Sequence, residues 1–185
     1  MLNSQQARAY EKMLSIIPTR NTGRFSVLEL GTRRWGDSPT HHRHLFPEWV
    51  DYTMADFLDG EDVDIVSDAH RLTEFPDDRF DAVISFSTYE HLEWPWVATQ
   101  AIYRVLKPGG WTFHQTHQSF PVHGYPSDYT RWTDKGMEAM FGWAGYEVIE
   151  ASMFEPAKIV PRPDYPVLDA TAPVYLGVCI LAVKP

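Results

Sequence analysis

The stretch VLELGTRRWGD, residues 27–37, is where the reading of this chain turns. It opens as an apolar run carrying one acid and ending in glycine. A short continuous apolar run bounded by a turn signal suits a strand buried on both faces, as in parallel sheets. An acid and a glycine at the end of such a strand begin many nucleotide-binding loops. The glycines that usually follow are missing, and Arg33, Arg34 and Trp35 stand in their place. A non-glycine residue forced to positive φ costs roughly 1–2 kcal/mol, so the loop after Gly31 is expected to take a path of its own.

Outward from this strand the pattern alternates. A helix is expected over residues 4–17, where Ala7, Tyr10, Leu14 and Ile17 share one face and Pro18 stops it. Residues 38–45 are expected to be partly helical. A second strand over 49–55 ends at Asp56, VDIVSD (63–68) reads as a third, and FDAVISFS (80–87) as a fourth. A helix over 95–106 closes at KPGG, a helix stop built from lysine, proline and glycine. WTFHQTH (111–117) is a fifth strand. A long loop rich in aromatics and histidines follows at 118–132, and Thr133 caps a helix running to 141. Two last strands, 146–154 and 174–184, are joined by a Pro-rich connection at 156–173. Strands alternating with helical segments imply an α/β sheet with right-handed connections. The last strand pair has no clear helix between its members and reads as an antiparallel hairpin at one edge.

A chain of 185 residues suits one domain spanning 1–185. No apolar run is long enough to span a bilayer, and the N-terminus lacks the order of a signal peptide. The expectation is a soluble cytoplasmic protein without a membrane partner. A formal net charge of -9 argues against nucleic acid as the main partner, which calls for a basic face. Cys179 is the only cysteine, so neither an internal disulfide nor a thiolate zinc site can form. It lies in VYLGVCILAV and reads as a small core residue.

In open α/β sheets ligands sit beyond the carboxyl ends of the strands. Glu29 and Gly31 end the first strand, and Asp56 ends the second about 25 positions after Gly31. An acid at such a distance grips ribose hydroxyls in dinucleotide folds, because a carboxylate accepts two hydrogen bonds at once. Asp68 ends the third strand, where it can accept from an adenine amino group. Phe86, in Ser85-Phe86-Ser87, can cover a base. Three acids so placed fit an adenosine-bearing cofactor without phosphate, since a pyrophosphate would be repelled.

The order VLELG, Asp56, DAHRLTEFPDDRFDAVISFSTYEHLEWPW and RVLKPGG resembles the S-adenosylmethionine-dependent methyltransferases of class I, closest to the type 11 small-molecule group, over about residues 27–150. The resemblance implies a Rossmann-like three-layer sandwich. Its seven-stranded, mostly parallel sheet would run 3-2-1-4-5-7-6 with the last strand antiparallel. It implies S-adenosyl-L-methionine as cofactor, with Glu29 and Gly31 under its methionine part and Thr32 and Gly36 in the same loop. Asp56 would hold the ribose, Asp68 and Ala69 would meet the adenine, and Ser85 and Phe86 would flank the site. The family loop usually reads acid-x-Gly-x-Gly-x-Gly, and here only Gly31 is in register, with Gly36 displaced by one.

The acceptor side is expected to come from the 118–132 loop. Methyl transfer from a sulfonium needs alignment above all, and aromatic faces such as Phe86, Tyr89, Phe120 and Tyr125 can stabilise the cation. A hydroxyl acceptor also needs a base, for which His123 comes first and His117 second. Tyr89, His91, Phe120, Tyr125 and Asp128 are the substrate-side candidates, and Glu90 with His91 could act as orienter and base or simply form a helix entry. No metal is expected. The alternative is a two-histidine, one-carboxylate site from His117, His123 and Asp128, against a plain Asp128–Arg131 pair. Arg33 and Arg34 read equally as a solvated turn or as partners of a carboxylate, Trp35 as packing, and His70 as a positioning residue at a turn.

The function expected is methyl transfer to a small molecule, such as a hydroxyl of a sugar or natural product. The alternative is a methyltransferase-like binding module that has lost its cofactor. A nicotinamide oxidoreductase is disfavoured, because Gly31 and Gly36 do not make G-x-G-x-x-G. The chain has no large recognition insertion, so a homodimer could complete its pocket.

Overall fold

The computed structural model describes residues 4–19, 23–124, 126–158 and 174–185, with the side chains of 4–9 left aside. Helix α1 is Ser4–Ile16. Strands β1 (Ser26–Leu30), β2 (Asp51–Asp56), β3 (Ile65–Val66) and β4 (Phe80–Phe86) follow. Helix α2 is Pro95–Val105, β5 is Leu106–His117, α3 is Asp134–Trp143, β6 is Glu147–Ala157 and β7 is Val174–Val183. The sheet order is β3-β2-β1-β4-β5-β7-β6, as expected. The pairs among β1 to β5 are parallel, and β7 runs antiparallel to both β5 and β6. Most of the Pro-rich connection expected at 156–173 lies outside the described residues.

Burial sorts the sheet by its two-residue period. Val27, Ala82, Ile84, Phe113, Cys179 and Leu181 share one face with Met13 and Ile17 from the first helix and the residue after it. Leu28, Val83, Val178 and Ile180 share the other with Ile102 of α2 and Phe141 of α3. Every residue of β1 is buried, which is why its sequence shows no alternation. Cys179 belongs to this core, and burial pushes its thiol up to about 11, so it behaves as the small packing residue expected. Thr133 caps α3, its hydroxyl accepting from the Gly136 N–H at 3.0 Å.

One expectation is corrected. Residues 38–45 are not a helix beyond a single 3-10 turn, Arg43–Leu45. The segment holds Pro39 and no apolar stripe, so nothing docks it on the sheet as a helix. The links from β1 to β2 and from β2 to β3 are therefore loops, held by side chains rather than by a helical backbone. None of the described helices is long and apolar enough to cross a membrane.

His114 lies wholly inside, its Nδ1 2.7 Å from Ser85 Oγ and its Nε2 against Thr112 Oγ1. Burial pushes its pKa down to about 3, so the folded protein holds the ring neutral. Unfolding exposes a ring that binds a proton near 6.5, so stability is lost as pH falls from about 6.5 towards 3. The expected slope from this ring approaches ~1.4 kcal/mol per pH unit in that window. Urea titrations of His114→Gln against the parent across pH 4–6 should show a slope flatter by about one proton; equal slopes would contradict it.

Candidate active site

The carboxyl ends of β1 to β4, with Gln115 of β5, border a cavity of about 850 Å³. On the β1 side the chain turns at Gly31, with φ +79°. A Cβ there would sit 2.2 Å from Thr88 Oγ1, which itself donates towards the Leu30 and Phe86 carbonyls at 3.2 and 3.1 Å. Glycine is thus required twice, by backbone angle and by close approach. Positive φ falls on Gly31 and Gly36 and spares Arg33 and Trp35, so the loop takes a path that non-glycine residues tolerate.

Arg34 grips Asp62 through two nitrogens at 2.7 and 3.0 Å and reaches Glu61 at 2.8 Å. The guanidinium holds the Asp62 carboxyl below the usual range. Arg33 donates to the Asp59 carbonyl at 3.1 Å and covers the Trp35 ring at 4.5 Å. The two arginines tie the β1–β2 loop to the β2–β3 loop, and neither lines the cavity, whereas Trp35 does.

Glu29 is 2% exposed and does not border the cavity. Its Oε2 accepts from the His42 backbone at 2.8 Å and from Tyr52 Oη at 2.6 Å, while His42 Nδ1 lies 2.8 Å from Oε1. Burial, with Glu29 beside it, drives the Tyr52 hydroxyl far up, so it remains a donor. His42 is thereby held flat on Phe86, with ring centroids 3.5 Å apart, and both rings line the cavity. Glu29 acts through His42 instead of touching the ligand space. Sequence reasoning missed His42; the HHRH run was visible, but nothing local says which ring faces inward.

Asp56 lines the cavity with its carboxylate braced by the backbone N–H groups of Arg33 and Leu58, at 3.1 and 3.0 Å. Each oxygen retains a further lone pair. Asp68 receives both the His70 backbone and His70 Nδ1 on Oδ1, at 2.9 and 2.7 Å, and Oδ2 makes no hydrogen bond with the described residues. Burial pushes this carboxyl up, but the two His70 contacts outweigh it and hold it below the usual range. His70 Nε2 accepts from the Trp94 N–H, giving the positioning role expected. Ala69 and the apolar Phe57 and Leu58 complete this wall; the last two were not foreseen.

The opposite wall belongs to Glu90. Its residue is fully buried, in a 3-10 turn over Tyr89–His91. Thr116 Oγ1 donates to Oε2 at 2.7 Å, and the Tyr129 N–H donates to its carbonyl at 2.7 Å. Around Oε1 stand three imidazole Nε2 atoms: His117 at 3.1 Å, His91 at 3.8 Å and His123 at 3.9 Å. None meets Oε1 at hydrogen-bond geometry. Burial raises the Glu90 carboxyl, and the nearby His117, with Thr116 and the backbone, overrides it and keeps the acid below its usual range. Glu90, His117 and His123 each offer an atom within 4.8 Å of the others, a set able to hold a metal ion.

The structure brings Gly31, Asp56, Asp68, Ala69, Phe86, His91 and His123 to one cavity. It does not bring Glu29, Thr32, Gly36 or Ser85 to its wall. Thr32 is buried and donates to the Asp62 carbonyl, Gly36 has open space around it, and Ser85 is spent on His114. Tyr89 is buried in the core with its hydroxyl at Thr99, because its position in the turn points it away from the cavity. Phe120 stacks on His117 at 4.2 Å, and His117 lies behind His123 against Glu90. Asp128 pairs with Arg131 through both oxygens and accepts from the His123 N–H, so it is not the carboxylate facing His117. Tyr125 lies outside the described residues.

Residues 47–114 match the family model described as a methyltransferase domain. No curated protein matches the sequence significantly. Among solved structures, a candidate methyltransferase from Bacillus halodurans has a TM-score of 0.67 at 18% identity, over 96% of this chain and 98% of that one. A SAM-dependent methyltransferase from Archaeoglobus fulgidus has 0.63 at 16% identity, over 97% and 91%. The 1,6-didemethyltoxoflavin-N1-methyltransferase of Burkholderia thailandensis, with bound 1,6-didemethyltoxoflavin and S-adenosylhomocysteine, has 0.64 at 15%, over 95% and 78%. The shared architecture is the class I, Rossmann-like methyltransferase fold.

Gly31→Ala should lower stability by ~1–2 kcal/mol through the backbone alone, and by more through the contact with Thr88. In a Thr88→Ala background the 2.2 Å contact is gone and the nearest remaining approach is 3.2 Å. The glycine substitution should therefore cost less in that background, as a double-mutant cycle in denaturant would measure.

Proposed function

We propose that this chain transfers a methyl group to a small-molecule hydroxyl, of a sugar or natural product, a reading supported by the methyltransferase-domain match over residues 47–114 and by the class I, Rossmann-like fold. The cofactor is S-adenosyl-L-methionine. The observation that carries the reading is that two strand-end acids, Asp56 and Asp68, line one cavity with His91 and His123, two of the imidazoles gathered at the buried Glu90. The cofactor's chemistry is an activated methyl on a sulfonium, so what the chain must add is alignment, dryness and, for a hydroxyl, a proton acceptor.

The residues fit that group. Asp56, braced by two backbone donors, keeps lone pairs for ribose hydroxyls. Asp68 Oδ2 is an acceptor for an exocyclic amine, with Ala69, Phe57 and Leu58 supplying apolar cover. Gly31 lets the backbone approach closely, and the stacked pair of Phe86 and His42 bounds the methionine end. At this end Arg34 and Arg33 are engaged by the β2–β3 loop.

His123 is the base of this proposal and His117 its support. The His123 Nδ1 lies 3.1 Å from the Pro121 carbonyl and 3.2 Å from Asp128 Oδ2, which favours the proton on Nδ1 and the lone pair on Nε2. Asp128 is ionised to serve this, since the Arg131 guanidinium holds its carboxyl far down. A hydroxyl held there would give its proton to that lone pair, and the cofactor, when bound, would supply the methyl, its carbon–sulfur bond breaking to leave a neutral thioether.

Calorimetry with S-adenosylhomocysteine tests the cofactor half. The parent protein should bind, and Asp56→Ala should bind about 10-fold more weakly or worse, the value of a lost charged hydrogen bond. No binding by the parent at high micromolar concentration would favour the cofactor-free binding module. A labelled-methyl screen of sugar and natural-product hydroxyls supplies the acceptor. With it, His123→Ala should lower kcat by ~10²–10⁴-fold, and full turnover in both His123→Ala and His117→Ala would remove the base assignment.

A further inference from the structure

We infer that Glu90, His117 and His123 form a binding site for one divalent first-row transition ion at the acceptor end of the cavity. The first ground is a buried oxygen with nothing to do. Glu90 is 0% exposed, its Oε2 is satisfied by Thr116, and among the described residues no group meets its Oε1 at hydrogen-bond geometry, although His117 Nε2 stands 3.1 Å away. A buried carboxylate oxygen left unmet is costly, and native proteins rarely tolerate one without a reason. A cation on Oε1 removes that cost.

The second ground is the donor set. The ligand atoms of the three residues lie within 4.8 Å of one another. A tetrahedral ion with bonds near 2.0–2.1 Å needs its ligand atoms roughly 3.4 Å apart. His117 Nε2 stands 3.1 Å and His123 Nε2 3.9 Å from Oε1, so each imidazole is already within about half an ångström of that separation from the carboxylate, and the two rings, within 4.8 Å of each other, close to complete the set. Two imidazoles and one carboxylate suit zinc, iron(II), cobalt(II) and their neighbours, and suit calcium or magnesium poorly, since those take oxygen ligands.

The third ground is the support behind the ligands. Metal-bound histidines usually direct their other nitrogen to a carboxylate or carbonyl. His123 Nδ1 does so, between the Pro121 carbonyl and Asp128, and Asp128 is itself clamped by Arg131. The His117 ring is held flat against Phe120, with ring planes 15° apart. His91, 3.8 Å from the same Oε1, has its Nδ1 on the Ser127 carbonyl and so also presents Nε2 as the lone-pair nitrogen. Glu90 is oriented by Thr116 from β5 and by the Tyr129 and Thr130 N–H groups from the loop.

Three protein ligands leave an open position, the arrangement of catalytic rather than structural sites. His123 and His91 border the cavity, so that position opens on the acceptor side. The further ligand is a single oxygen of the acceptor, the hydroxyl that receives the methyl. This last step rests on the methyl-transfer reading; the ion site does not. With the ion bound, the lone pairs of His117 and His123 go to it, and the ion takes over the task of making the hydroxyl acidic.

The test uses untagged full-length protein, stripped with chelator and titrated with Zn²⁺ by calorimetry, with Co²⁺ absorption in the visible as an independent readout. The parent should bind one equivalent and give the spectrum of a nitrogen–oxygen site. Its Tm should rise with Zn²⁺. His117→Ala/His123→Ala should bind about 100-fold more weakly or worse, with no Tm rise, as should Glu90→Gln if it folds. S-adenosylhomocysteine binding is measured on the same samples. If the parent binds S-adenosylhomocysteine but takes up no more Zn²⁺ than the double variant, the ion site is overturned and the histidines remain metal-free bases. If one Zn²⁺ binds at these ligands but S-adenosylhomocysteine does not, the site stands and the methyl-transfer reading fails.

Discussion

The shape of the ligand cavity depends on the carboxylate of Glu29. It sits at the end of the central strand and is almost wholly buried, so its charge must be met by donors from inside the protein. Those donors are the backbone and ring of His42 and the hydroxyl of Tyr52. By drawing His42 across thirteen residues of chain, Glu29 closes the β1–β2 loop over the sheet without a helix. The same contacts press His42 onto Phe86 and so set one wall of the cavity. The arginines that displace the glycines of this loop do complementary work, lashing it to Asp62, Glu61 and the Asp59 carbonyl.

A second buried acid organises the other wall, and the contrast is instructive. Glu29 finds a partner for each oxygen, so it is spent on structure. Among the described residues Glu90 finds a hydrogen-bond partner for one oxygen only and has three imidazoles gathered at the other. In both cases burial raises the demand on a carboxylate. The first meets it within the described residues, and the second leaves an oxygen for a cation. That difference, and no difference of residue type, separates a positioning glutamate from a ligand-binding one.

Much of this was legible before any coordinates. The apolar runs at 27–30 and 80–86 and the acids at strand ends are local signals that survived folding, whereas the KPGG run expected to close the helix lies within β5, with Leu106 between it and the end of α2 at Val105. Asp56, Asp68, Ala69, Phe86, His91 and His123 were named from their positions at strand ends or in one loop, and they share a cavity. Glu29, Thr32, Ser85 and Tyr89 were named by the same logic and lie behind the wall. A strand-end position specifies the end of the sheet but not the direction of the side chain. His42 and Thr88 went unnamed because their loop conformations depend on partners 13 to 57 positions away in sequence, Glu29 and Gly31.

What the sequence determined by itself is the order of strands and the chemistry available at their ends, because hydrophobic period and turn residues are properties of neighbours along the chain. Even the altered glycine loop was sufficient, since Gly31 is the one position where backbone angle and the close approach of Thr88 both demand glycine. What only the tertiary structure decided is which charges are satisfied. Of the two readings of Asp128, the pair with Arg131 is the one the fold makes, and the carboxylate that faces His117 and His123 is Glu90 from another element. Satisfaction of a buried charge is a question of which donors reach it through space, and sequence proximity carries no information about that.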